Sequence, residues 1–199
     1  MTPSGRDPGI LDALAAVRQA MRAGDPGPES FPDQGFDLRF VERTAPLLEF
    51  FYKTYFRVRL RGVENIPATG PAMIVSNHSG GLPYDGAILI HAIGRDHPAH
   101  RRVRPLVATF ALRSRWMRHV VARFGGVLAS IDNGLSLLDR GELVGVFPEG
   151  LKGVGKLFRE RYRLRNFGRG GFVRLARRAR VPIVPVAIVG AEEIHPVIG

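Results

Sequence analysis

The sequence lacks cysteine and long hydrophobic runs, and each absence excludes a class of structure or chemistry. With no cysteine there is no disulfide framework, no thiolate nucleophile and no cysteine-ligated metal. The longest apolar stretch, residues 181–191, contains two prolines, and it is well short of the roughly 18–20 residues that a membrane-spanning helix needs. The first ten residues have neither a basic start nor an apolar core, so we expect no secretory signal. We therefore expect a protein that is cytosolic or peripheral to a membrane.

Lysine is also scarce, although the chain is strongly basic. The 199 residues suit a single folded domain and carry 29 basic against 18 acidic side chains, a net charge of +11. Only Lys53, Lys152 and Lys156 are lysines, so arginine supplies the charge. Such a charge attracts anionic lipid surfaces and phosphorylated or CoA-linked substrates, and the alternative is an arginine-rich surface without a partner. No nucleic-acid-binding motif is present, so we do not expect nucleic acid as the partner.

The N-terminal part of the chain differs from the rest in its pattern of apolar, aromatic and proline residues. Apolar residues between Ile10 and Met21 recur at helical spacing, and residues 24–37 form a linker rich in proline, glycine and acids. The aromatic stretch 40–56, with basic neighbours, predicts a second helix. This composition suits a helix in a lipid headgroup layer, while packing against a sheet remains the alternative. We define residues 1–57 as an N-terminal helical, membrane-facing region.

From residue 58 onward, short strand-like and helix-like segments alternate, which predicts an α/β fold. We expect a central mixed sheet flanked by helices in a domain spanning residues 58–199. The predicted strands are 58–61, 73–76, 103–108, 144–147 and 183–189, and the predicted helices are 85–93, 113–123, 134–140 and 170–180.

A candidate catalytic pair follows the first buried strand. The strand ends at Asn77-His78, a glycine-rich loop follows, and Asp85 stands at the start of the next helix. A carboxylate at that place can accept the imidazole N–H and leave the other ring nitrogen to take a proton from an alcohol. Ser79 is next to His78 in sequence, but adjacency does not provide nucleophile geometry, so we do not expect Ser79 to be the nucleophile.

Two further segments follow strands. Phe147-Pro148-Glu149-Gly150 leads into a loop with Lys152 and Lys156. The acid can either accept a hydrogen bond from a substrate hydroxyl or position the basic groups, and the lysines can meet a phosphate. The order of residues is not that of a Walker loop. Residues 181–190 form a hydrophobic strand whose two prolines restrict it to an edge or a bulge. This strand either lines an acyl pocket or belongs to the core.

Together the three segments resemble the motifs of the glycerolipid acyltransferase superfamily, of the lysophosphatidic acid acyltransferase type, over about residues 58–195. The resemblance implies a glycerol-3-phosphate acyltransferase-like fold, with His78 as general base, oriented by Asp85. It implies direct attack on an acyl thioester, with Glu149 and Gly150 holding the acceptor. It also implies acyl-CoA or acyl carrier protein as donor, a glycerolipid acceptor, no cofactor or metal, and a peripheral place on the cytoplasmic face of a membrane.

The chain departs from the family pattern in two places. Six residues separate His78 from Asp85 where four are usual, so Asp85 either still pairs with His78 or only caps the helix. Residues 125–132 lack the arginine that grips the acceptor phosphate in the family. Either Lys152, Lys156 or Arg159 replaces it, or the acceptor is neutral, as in the branch that includes monoacylglycerol and diacylglycerol acyltransferase-like proteins. We also expect the domain to continue beyond residue 199.

These observations predict an O-acyltransferase that acts on a lysophospholipid hydroxyl, with a neutral acceptor as the alternative. A non-catalytic lipid-binding module and a thioesterase-like hydrolase are the rival functions. The first rival would bind liposomes without transfer, and the second would release free fatty acid without an acceptor.

Overall fold

The computed structural model describes residues 9–22, 36–80, 84–109, 115–165, 167 and 170–198. These residues form two compact units. The first contains the described residues up to Arg59 and those between Thr109 and Gly126, and the second contains the remainder. The sequence-based division at residue 57 did not foresee that the segment ending at Gly126 belongs with the N-terminal helices.

The first unit is helical. Its helices are α1 (Ile10–Arg22), α2 (Leu38–Phe50) and α4 (Arg115–Arg123), and both α2 and α4 pack against α1. Asp37 caps α2 by accepting a hydrogen bond from the Phe40 amide at 3.0 Å. Phe40 is buried in an edge-to-face contact with Phe124, with ring centroids 5.3 Å apart. No helix in the described residues has the length and apolar character that crossing a bilayer requires.

The predicted aromatic helix is α2 followed by one π-helical turn, Phe51–Tyr55. Arg57 adopts a left-handed conformation (φ 52°) that ends the helix, and the Val58 amide then bonds back to the Tyr52 carbonyl at 2.8 Å. The predicted strand at 58–61 is therefore wrong, because these residues follow the helix terminus without regular structure and pair with no strand. Tyr52 is buried whereas Tyr55 is 63% exposed, so this turn contributes both to the interior and to the surface.

The second unit is built on a parallel sheet, which confirms the α/β architecture. Its strands are β1 (Ala72–Ser76), β2 (Val103–Val107), β3 (Val127–Leu128), β4 (Leu143–Val146) and β5 (Ile183–Val186), in the order β3-β2-β4-β1-β5. Every pairing between these strands is parallel, so the expectation of a mixed sheet is corrected. The two-residue strand β3 was missed because so short a segment carries no alternation.

Helices cover both faces of this sheet. They are α5 (Ile131–Asp139) and α7 (Gly171–Ala179) on one face and α3 (Tyr84–Asp96) on the other, while the short helix α6 (Leu151–Val154) follows β4. The central strand β1 explains the layering, because its side chains alternate in direction. Met73 and Val75 pack in one cluster with residues of α5 and α7, whereas Ile74 packs in a second cluster with Leu89 and Ile93 of α3. Since both faces are covered, all of β1 is buried.

The proline-containing strand β5 lies at the edge of the sheet, as predicted. Its residues are alternately exposed and half-buried, and Ile183 is 37% exposed. Val184 and Val186 pack against the cluster that contains Ile74, so one face of this strand belongs to the core, as the core interpretation expects, while the other face is exposed.

Candidate active site

The candidate site forms at the carboxyl edge of the sheet, because three neighbouring strands end there. In the sheet β1 lies between β4 and β5, and all three run parallel, so the residues that follow them meet. His78 comes two residues after β1, and Glu149 comes three residues after β4.

Asn77 ties two of these strand ends together. Its amide Nδ2 donates to the Ile188 carbonyl at 2.8 Å, and its Oδ1 accepts from the Ile188 amide at 2.7 Å. The side chain thus continues the hydrogen bonding between β1 and β5 after both strands have ended. The sequence motif marked this asparagine but did not indicate this role.

His78 and Asp85 form the predicted pair despite their unusual spacing. The distance between His78 Nδ1 and Asp85 Oδ2 is 2.7 Å, and the Asp85 side chain is fully buried. The same carboxylate accepts hydrogen bonds from the Ser79 amide at 2.9 Å and from the Gly86 amide at 2.7 Å. Asp85 lies in the first turn of α3, and three hydrogen bonds fix its orientation. Residues 81–83 of the loop between the two partners lie outside the described residues.

This geometry leaves one imidazole nitrogen for chemistry. A carboxylate accepts, so Nδ1 of neutral His78 carries the proton and Nε2 is the basic atom. No residue in the described segments hydrogen-bonds Nε2, and the His78 side chain is 13% exposed. Its ring packs against Phe147 with centroids 4.8 Å apart, and Gly86 leaves room for that phenyl ring. Ser79 Oγ is buried without a hydrogen-bond partner in the described residues, so it is not activated by the imidazole.

Glu149 does not project toward a substrate. Its side chain is fully buried; Oε1 accepts the His78 amide at 3.1 Å, and Oε2 accepts the Arg165 amide at 2.7 Å. The structure therefore corrects the expectation that Glu149 contacts the acceptor, because both oxygens already bind backbone amides. Gly150 turns the chain at φ 53°, a conformation that favours glycine, and its role in holding the acceptor stays a prediction.

The three basic candidates lie in different environments. Lys156 is 1% exposed, and its Nζ lies 3.3 Å from Glu192 and 3.7 Å from Glu149. This position corrects the expectation that Lys156 grips a phosphate, because its ammonium is enclosed between carboxylates. Lys152 and Arg159 are exposed, and within the described residues neither has an ion-pair partner.

Two residues of this site were missed at the sequence level. Gly153 packs directly against the backbone of His78, since a Cβ added there would lie 2.4 Å from the His78 carbonyl oxygen. The glycine-rich character of the loop was the available signal. No signal in the sequence pointed to Glu192, because an acidic residue in a polar turn is usually exposed.

The nearby surface carries an aromatic side chain with a shifted pKa. The hydrogen bond from the Tyr162 hydroxyl to Glu193 raises the pKa of that phenol. Tyr162 is 62% exposed and Leu164 is 66% exposed, so apolar groups project into solvent here. Across the described segments no three His, Asp or Glu side chains converge on a point where a metal ion would fit.

Similarity to known proteins indicates the same family as the motifs around His78 and Glu149. The model of the acyltransferase family matches residues 57–189, which is more than half of the chain. An uncharacterized protein of Mycobacterium tuberculosis is 46% identical over 95% of this chain and 53% of its own length, and one of Mycobacterium leprae is 44% identical over 95% and 52%. The human 1-acyl-sn-glycerol-3-phosphate acyltransferase alpha is 30% identical over 75% of this chain and 51% of its own length.

A probable 1-acyl-sn-glycerol-3-phosphate acyltransferase of Mycoplasma pneumoniae is 27% identical over 82% of this chain and 60% of its own length. No solved structure matches. The chain spans about half the length of the curated relatives it matches most fully. Because the family model matches more than half of the chain, and the human relative is 30% identical over 75% of it, the chain belongs to the acyltransferase family.

Proposed function

We propose that the protein is an O-acyltransferase that moves a fatty acyl group from a CoA or acyl carrier protein thioester to a glycerolipid hydroxyl. The observation that carries this proposal is the His78–Asp85 pair, at 2.7 Å, with Nε2 unoccupied by any described residue. Family membership and the names of the human and Mycoplasma relatives support the same reaction class.

The reaction needs a base, and His78 supplies it. Nε2 takes the proton of the acceptor hydroxyl while the oxygen attacks the thioester carbonyl carbon. The carbon–sulfur bond then breaks, and the leaving thiolate takes the proton back from the imidazolium. Asp85 stabilises the charged imidazole and holds its tautomer throughout. No covalent acyl-enzyme is needed, which fits a chain without cysteine and a Ser79 hydroxyl without a hydrogen-bond partner among the described residues.

The preferred acceptor in this proposal is a lysophospholipid, with Lys152 and Arg159 as its phosphate ligands. Both side chains are exposed cations close in sequence to the Phe147–Gly150 turn. A neutral acceptor is the second candidate, because residues 125–132 contain no arginine and Lys156 is enclosed by carboxylates.

The proposed site of action is a membrane surface. In the first unit, Phe50 and Tyr55 are exposed beside Lys53, and in the second unit Tyr162 and Leu164 are exposed. Exposed aromatic and aliphatic groups flanked by cations bind lipid headgroup layers, and a net charge of +11 favours anionic lipids.

The test is transfer of a labelled acyl group from acyl-CoA or acyl carrier protein to lysophosphatidic acid, other lysophospholipids, monoacylglycerol and diacylglycerol. We expect a labelled glycerolipid product from the wild type and none from His78→Ala, whose fold is checked by circular dichroism. Labelled free fatty acid without acceptor would identify a hydrolase, and liposome binding without turnover would identify a binding module.

A second comparison separates the two acceptor candidates. Replacing Lys152 and Arg159 with glutamine should raise KM for lysophosphatidic acid if they bind its phosphate. The matched control replaces Arg177 and Arg178, two exposed arginines of α7, and removes the same charge elsewhere. Equal effects of both double variants would mean that charge acts only through the membrane or the donor.

A further inference from the structure

Lys156 is the most enclosed cation near the site, and its burial calls for a reason. Its side chain is 1% exposed, and the two carboxylates that flank it, Glu149 and Glu192, are 0% and 6% exposed. Burying a charge is costly unless it is paired, and removing one partner of a buried pair is strongly destabilising. A lysine that binds a substrate phosphate has to be accessible to the substrate, so phosphate binding does not explain why Lys156 is buried.

The cluster joins separate parts of the chain. Lys156 follows α6, and Glu192 lies in the 3₁₀ turn Ala191–Glu193 that follows β5. Glu192 also accepts the Tyr162 amide at 3.4 Å through the same oxygen that meets Lys156. The ion pair therefore holds the segment after α6 against the segment after β5.

Glu149 connects this cluster to the catalytic base. One of its oxygens accepts the His78 amide, and the other accepts the Arg165 amide and faces the Lys156 ammonium. An ionised carboxylate can accept from both amides at once, and a buried ammonium offsets its charge. The orientation of the His78 backbone thus depends on a carboxylate that Lys156 neutralises.

We propose that Lys156 and Glu192 are positioning residues, which hold the Glu149 carboxylate in the orientation that fixes the backbone of His78. This inference rests on the proposed function of His78 as the base. It predicts that the ion pair affects the rate of the chemical step and not the affinity for the acceptor, since neither side chain reaches the surface.

The kinetic test compares wild type, Lys156→Met and Lys156→Met/Glu192→Gln on every acceptor that the wild type uses. We expect kcat to fall about tenfold or more in the single variant, with KM changed less than about twofold; a 1 Å misplacement of a catalytic group can cost roughly 10²-fold. The double variant removes one negative charge along with the positive one, so it should recover part of the lost kcat. An increase in KM confined to phosphorylated acceptors would overturn the proposal, because it would show that Lys156 binds the phosphate.

A control variant separates positioning from general stability. Arg104 and Glu142 form a partly buried pair at 2.9 Å at the opposite, amino-terminal end of β2. Arg104→Met should lower the thermal midpoint but leave kcat per folded molecule unchanged. If Arg104→Met lowers kcat per folded molecule as much as Lys156→Met does, the effect is not specific to the cluster and the proposal is wrong.

A spectroscopic readout keeps the test independent of turnover and of poor folding in one variant. In wild type, the ¹⁵N-labelled His78 amide should be protected from hydrogen exchange, and Lys156→Met or the milder Glu192→Gln should reduce that protection about tenfold. Lys156→Arg, which keeps the charge, should retain more of it. Unchanged protection in Glu192→Gln and Lys156→Met would refute the link. If the wild type transfers no acyl group, the proposed function fails, and the amide measurement still decides whether the cluster positions His78.

Discussion

Gly153→Ala is the substitution whose effect the structure defines most sharply. The added Cβ would lie 2.4 Å from the His78 carbonyl oxygen and 2.7 Å from Glu149 Cβ. Ordinary contacts begin near 3.4 Å, so the atoms must separate by 3.4 minus 2.4, about 1 Å. The nearest atom belongs to the backbone, which cannot rotate away as a long side chain can.

The displacement falls on the residue that performs the proposed chemistry. A shift of about 1 Å at a catalytic group costs on the order of 10²-fold in rate. Overpacking adds about 1–3 kcal/mol of destabilisation. We therefore expect Gly153→Ala to lower kcat about 10²-fold and to lower the thermal midpoint modestly.

The assay is acyl transfer at saturating donor and acceptor, normalised to the folded fraction from thermal denaturation. Gly94→Ala is the matched control, because it lies within α3 and a Cβ there would approach nothing closer than 3.8 Å. We expect this control to keep full activity and to gain roughly 0.5–1 kcal/mol in stability. Retention of more than half the wild-type kcat in Gly153→Ala would refute the claim that this close packing positions His78.

Three further substitutions test other parts of the structure. Asp85→Asn should lower the transfer rate about 10²–10⁴-fold, since it removes the charge that supports the imidazolium. A loss under threefold in the same transfer assay would show that Asp85 has only a structural role. Asn77→Ala removes two hydrogen bonds to Ile188, so the free energy of unfolding should fall by about 2 kcal/mol; an unchanged denaturant midpoint would contradict this. Replacing Phe50 and Phe51 with serine should weaken sedimentation with anionic liposomes while circular dichroism stays native, whereas loss of the helical signal would mean that the rings stabilise the first unit.

Local patterns in the sequence were enough to predict four of the five strands and the identity of the His78–Asp85 pair. The residues from Ala72 to Val75 are all apolar, as expected for a strand covered on both faces, and the whole of β1 is buried. The prolines at 182 and 185 predicted an edge strand or a bulge, because proline has no amide N–H to donate to a neighbouring strand, and β5 lies at the edge. His78 and Asp85 were predicted because each follows or begins a recognisable element.

The roles of the second motif could not be predicted because they depend on contacts between distant segments. The position of Glu149 in a turn after a strand predicts a side chain that is open to substrate. Only the fold shows that its oxygens accept hydrogen bonds from amides 71 and 16 residues away. Lys156 similarly reads as a solvent-exposed cation, and its burial depends on Glu192, 36 residues later. Charge and spacing predicted the residue types at the site but not the directions in which the side chains point.

The buried and the exposed residues at this edge of the sheet differ in what they can contribute to acceptor specificity. The buried acids Asp85 and Glu149 hold the loop that carries His78, and their oxygens accept nearby backbone amides. Buried, fully bonded carboxylates make the base rigid, but they offer little to distinguish one acceptor from another. In the proposed function, recognition of the acceptor headgroup falls to exposed groups such as Lys152 and Arg159. In this arrangement acceptor preference can change through surface substitutions while the catalytic base and its supports stay the same.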